Sequence, residues 1–171
     1  MEAVVGPYLA ATALLAVGGA PKTWSPGDTT RALRAMRLPV TRPLVRLIGL
    51  AEVVSAAAAV ALPGRTSALV VAGWYAVFAA VVALALRTRV PLGSCGCFGA
   101  AESPPSVLHL LLVVGAAAVS LAVAATGARS LLPEQTSYAL VVIGLAGMAA
   151  WFGYLVMTRL AALRVAPASR P

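Results

Sequence analysis

Apolar positions dominate the chain in five runs: Val4 to Ala20, Leu44 to Leu62, Ala68 to Leu86, Val107 to Thr126 and Tyr138 to Met157. Each run is roughly 17–20 residues long, the length a helix needs to cross the hydrocarbon of a bilayer. Alanine and leucine fill the runs and no period-two alternation appears, so a strand reading fails. The pattern predicts an all-α, polytopic membrane bundle of about five helices. Residues 1–160 form one membrane-embedded unit and residues 161–171 a short polar tail. The first run has Glu2 as its only early charge and no positive leader, so it reads as a retained helix rather than a signal peptide.

The polar breaks between the runs carry their own signals. Leu62-Pro63-Gly64-Arg65-Thr66-Ser67 reads as a tight hairpin between the second and third helices. Ser103 followed by Pro104 and Pro105 reads as a helix start with proline in the first turn. From Asp28 to Leu38, Arg31, Arg34 and Arg37 recur every third residue with Leu33 and Met36 among them. That spacing predicts a short basic helix at the headgroup level, capped by Asp28.

Composition closes off other classes. Of 171 residues, 61% are hydrophobic and 11% charged, with mean hydropathy +0.93. A soluble domain carries about 25% charged residues, so the chain lacks the polar surface that water demands. The net charge of +8 does not indicate nucleic acid, because aromatic residues are few and most arginines flank apolar runs. Basic residues so placed set orientation. With the N-terminus outside, every one of the 13 Lys and Arg except Arg65 and Arg129 falls on the cytoplasmic side. That reading puts the loop after the third run on the cytoplasmic side as well.

That loop, Pro91-Leu92-Gly93-Ser94-Cys95-Gly96-Cys97-Phe98-Gly99, holds both cysteines of the chain. A pair one residue apart staples nothing distant, so its purpose is local. A disulfide needs Cα atoms about 4.4–6.8 Å apart, and an i,i+2 pair in extended backbone sits near the upper limit. The resulting ring is strained and labile, which suits a Cys95–Cys97 redox pair. Two other readings stand beside it: a soft-metal site for copper(I) or zinc built from Cys95, Cys97 and His109, and two loop cysteines without a role. No resident cofactor is evident; a thiol pair in a membrane has a quinone or a thioredoxin-like protein as candidate electron acceptor. Near the middle of the second run stands Glu52. A carboxylate at that depth costs about 2.5–3.5 kcal/mol on insertion scales and marks a function by default. Glu52 is the candidate proton-handling group, protonated or paired with a cation from another helix. Lys22, just past the first run, has the reach to snorkel toward it. Arg46 lies too far along the same helix for an ideal pair.

Three stretches resemble the MauE family of the wider DoxX-like membrane proteins. They are Gly18 to Leu38 with Lys22 and the Asp–Arg helix, Arg46-Leu47-Ile48-Gly49-Leu50-Ala51-Glu52, and Cys95-Gly96-Cys97-Phe98-Gly99. The likeness covers residues 1–126 and implies a four-helix core with a fifth helix added. It also implies a bacterial inner-membrane protein, of a family associated with methylamine metabolism. Its expected role is thiol–disulfide redox or maturation of an exported client, beside a thioredoxin-like partner, as a component of a membrane oxidoreductase. The family role wants the cysteines outside, against the charge count. A soft-metal transfer protein and a non-catalytic assembly partner are the alternative functions.

Overall fold

In a computed structural model, residues 2–88, 106–126 and 136–156 are described. All regular structure among them is helical: α1 (Glu2–Trp24), α2 (Gly27–Ala35), α3 (Arg42–Ala61), α4 (Arg65–Thr88), α5 (Val107–Thr126) and α6 (Thr136–Leu155). Four of these, α1, α3, α4 and α5, are long and apolar enough to span a bilayer, and the apolar part of α6, Leu140–Leu155, is shorter. The chain is a multi-pass membrane protein whose helices divide four plus one, as the family resemblance implies, where hydropathy alone gave five runs of equal standing.

Helix ends follow local chemistry. Thr41 stands in extended conformation before α3 and its hydroxyl accepts the Leu44 N–H at 3.4 Å, with Pro43 in the first turn. α5 starts at Val107, and the Ser106 hydroxyl accepts the His109 N–H at 3.2 Å. The Ser103-Pro104-Pro105 signal lies outside the described residues. Asp28 does not cap α2. The residue before the helix is Pro26, which bonds no cap through its side chain, and Asp28 instead pairs with Arg31 at 3.0 Å. α2 ends in a Schellman turn, with bonds from Leu38 N–H to the Leu33 carbonyl (3.1 Å) and from Arg37 N–H to the Arg34 carbonyl (2.9 Å). Arg37 takes the left-handed position at φ 62° that glycine fills most cheaply.

α1 is the hub. It packs along α3, α5 and α6, while α4 packs along α5. The interior is narrow and made of small side chains: Ala11, Ala56, Ala59, Ala68 and Ala124 pack with Tyr8, Leu15, Val71, Tyr75, Val113 and Val123. Bulky apolar residues such as Leu47, Leu111, Leu140 and Trp151 point outward. This inversion is what lipid permits, because apolar side chains gain nothing by leaving it and helices associate through close packing. Each crossing reverses the chain, so the ends of α1 and α4 and the starts of α3 and α5 share one face of the bundle. α2 lies at that face, where Met36 packs on Ala85, with Leu33, Leu38 and Val81 around them. Thr88 and Ser106, the described residues on either side of residues 89–105, both lie at this face.

Candidate functional site

The site grows from two helices that repeat one spacing. α1 carries Gly19 and Lys22, α3 carries Gly49 and Glu52, each glycine three residues before its charge. Residues three apart share a helix face. The two glycines meet backbone to backbone. A Cβ on Gly19 would sit 2.6 Å from the Gly49 carbonyl oxygen and 2.8 Å from Glu52 Cβ. A Cβ on Gly49 would sit 2.6 Å from the Gly19 carbonyl oxygen and 2.7 Å from Lys22 Cβ. No other residue type fits either position without moving a backbone.

This approach sets the distance between the charges. Lys22 Nζ donates to both Glu52 carboxylate oxygens at 2.7 Å. Lys22 is 4% exposed and Glu52 is fully buried. Ions taken this far from solvent persist only when paired. Arg46 does not join them. Its Nε donates to the Thr23 carbonyl at 3.0 Å and closes the last turn of α1. The arginine and the lysine therefore hold α1 to α3 at two successive levels.

Aromatic residues of α4 complete the surroundings. The Lys22 ammonium sits 4.9 Å from the centroid of Phe78, a favourable cation–π placement. Tyr75 meets Phe78 edge-on, with centroids 5.7 Å apart and planes at 86°. The Tyr75 hydroxyl donates to the Ala11 carbonyl at 2.6 Å, tying α4 to α1. Trp74 Nε1 donates to Ser55 Oγ at 3.0 Å, tying α4 to α3. Beside the pair lies a cavity of about 120 Å³. Trp74, Phe78, Val77 and Val81 of α4 form one wall, and Val45 and Ile48 of α3 the other. Thr29 and Leu33 of α2 line it as well. The short basic helix is thus a roof as well as a surface element.

The sequence-predicted residues divide as follows. Glu52 is at the centre of the site. His109 is buried in the first turn of α5 and is not among the residues lining the cavity. Cys95 and Cys97 lie outside the described residues. Among the described residues no group of three or more His, Cys, Asp or Glu is placed to hold a metal ion. Nothing in the sequence pattern marked Trp74, Tyr75, Phe78 or Gly19 as site residues. The signal that would have found Gly19 is the mirrored glycine-to-charge spacing on α1 and α3.

The family model described as MauE, Methylamine utilisation protein MauE, matches residues 3–128. No curated protein matches the chain, and no solved structure does. The matched span takes in α1 to α5, and so the whole ion-pair site and the Cys95-Gly96-Cys97 segment.

Proposed function

The chain belongs to the MauE family, and from there we propose that it is a thiol–disulfide factor of the cell membrane that serves the maturation of a partner protein. Cys95 and Cys97 are its redox pair. Joining them forms one S–S bond, releases two protons and hands two electrons to a disulfide of a thioredoxin-like partner or to a quinone. In the opposite direction the Cys95–Cys97 bond opens, taking two electrons and two protons from a dithiol of an exported client, which is left with a disulfide. Glu52, held against Lys22, is the proton-handling group. Methylamine metabolism is the setting the family's description suggests.

One observation carries this reading. The segment with both cysteines joins Thr88 to Ser106, on the face of the bundle where the chain buries its Lys22–Glu52 pair. Thr88 and Ser106, the described residues that flank the cysteine segment, thus share one end of the bundle with the buried charges. Mass-tagging of free thiols in native membranes is the test. Both cysteines are expected to take up tags after reduction and neither after oxidation. Cysteines that stay reduced under every oxidant would sink the reading.

A second reading has His109 behind it, because this buried imidazole opens the helix that follows the cysteine segment. A soft ion such as copper(I) or zinc would be held by Cys95, Cys97 and His109. Metal analysis of the purified protein separates the two: stoichiometric metal, lost on Cys97→Ser, would favour the second.

A further inference from the structure

We propose that the corner where α2 meets the start of α3 holds an anionic phospholipid, its phosphate on Arg42 and Arg46 and its acyl chains along the outer face of α3. The inference concerns a surface that the thiol–disulfide reading leaves unused, and it stands or falls independently of that reading.

Charge selects the head. The carboxylates that α2 and α3 carry are already matched, Asp28 to Arg31 at 3.0 Å and Glu52 to Lys22 at 2.7 Å. Arg34, Arg37, Arg42 and Arg46 are exposed, and no carboxylate among the described residues pairs with them. The corner therefore carries a cationic excess that only an anion from outside the described residues can meet. Two of these arginines are already aimed. Arg46 gives its Nε to the Thr23 carbonyl at 3.0 Å, and Arg34 gives its Nε to the Val40 carbonyl at 2.8 Å. Each bond uses one of the five guanidinium N–H groups and fixes the plane, which leaves the two terminal nitrogens for a partner. Arg42 stands one turn before Arg46 on the same face of α3. Paired planar forks of this kind match the oxygens of a phosphate, which accepts two parallel bonds from each. Basic clusters beside membrane helices recognise anionic lipid headgroups on the same principle.

The rest of α3 selects an amphiphile over a free anion. Leu47, Leu50 and Val54 follow Arg46 along the helix and all three are exposed. At 3.6 residues per turn they share with Arg42 and Arg46 an arc of about 140° of the helix surface. From Arg46 to Val54 the helix descends roughly 12 Å into the hydrocarbon. Trp24, which follows the Thr23 that Arg46 holds, is 80% exposed and marks the interface beside the guanidinium. A molecule seated on this face meets cations at its head and apolar side chains along its tail. A small soluble anion would use the first and leave the second idle.

The test uses the full-length protein in a nonionic detergent, titrated with phosphatidylglycerol or phosphatidylcholine while native mass spectrometry counts the lipids retained. The first phosphatidylglycerol should bind saturably and at least about fivefold tighter than phosphatidylcholine, whose choline brings a cation toward the arginines. Arg42 is exposed, so Arg42→Gln spares the helix contacts, and it should weaken that binding by at least about fivefold. Arg46→Lys keeps the charge, loses the anchored fork and should weaken it as well. Arg65→Gln, at the opposite end of the bundle, should change nothing, and thermal unfolding verifies that each variant is folded. Soluble glycerol phosphate in large excess should not displace the lipid. Equal retention of the two lipids overturns the proposal, as does unchanged binding in folded Arg42→Gln or Arg46→Lys. An equal loss in Arg65→Gln would reveal diffuse charge instead of a site, and displacement by glycerol phosphate would show that the tails play no part; either result overturns it too.

Discussion

α1 presents two faces to its neighbours, and the two are built on opposite logic. Toward α3 it offers Gly19 and Lys22, and the helices touch at backbone distance around one ion pair. Toward α5 and α6 it offers Gly6, Ala10, Ala11 and Leu14, facing Gly115, Ala116, Ala146 and Ala149, and an apolar space of about 700 Å³ remains. Both seams are rich in small residues. Small size lets backbones approach in lipid but does not oblige them to. What obliges them at α3 is a carboxylate and an ammonium that lipid refuses separately. The polar pair selects the contact, and the glycines make room for it.

The sharpest way to break the α1–α3 seam is to remove one charge. Glu52→Gln leaves Lys22 buried without its counter-ion and is expected to cost about 3–5 kcal/mol, read as reversible unfolding in mixed micelles. Lys22→Met together with Glu52→Leu should recover most of that loss, since apolar replacements of similar volume are tolerated. A double variant as unstable as Glu52→Gln would show that the pair does more than neutralise itself. Next in size is Gly49→Ala. Its Cβ meets backbone at 2.6 Å, so the helices must part, at an expected cost of about 1–3 kcal/mol in the same measurement. The smallest effect belongs to the other seam. Gly153→Ala on α6 meets only the tip of Leu14 at 3.1 Å, and Gly115→Ala on α5 meets nothing within 4 Å. Each should fall within about 1 kcal/mol of the parent, with helix propensity favouring alanine. A large loss at Gly115 would mean that the wide seam is tighter than its cavity indicates.

Much of this was legible in the order of residues. Five apolar runs announced the helices because the thickness of a bilayer leaves little choice of length. Boundaries moved by a turn or less where polar residues extend a helix past its apolar stretch, as at Lys22 to Trp24 and at Arg42. Glu52 stood out because a carboxylate in an apolar run is expensive wherever it points. Its partner was within reach on paper, and the structure supplies the register that makes the reach exact to two oxygens. The aromatic wall was not legible. Trp74 and Phe78 are ordinary residues in a membrane helix until α4 is rotated to face α3, and that rotation is a property of packing. The roof was half legible: the arginine spacing gave a basic helix, but only its contact with Val81 and Ala85 shows that it covers the site.

The bond between Lys22 and Glu52 closes over thirty residues of chain. During synthesis the first helix reaches the bilayer carrying an ammonium whose counter-ion has not yet been translated. Lys22 must wait at the aqueous edge, its long stem allowing this, until α3 arrives with the carboxylate. Neither helix attains its final depth alone. Insertion of the first span is therefore a joint event with the second, and a nascent chain halted before Glu52 should leave α1 shallower than it sits in the finished bundle.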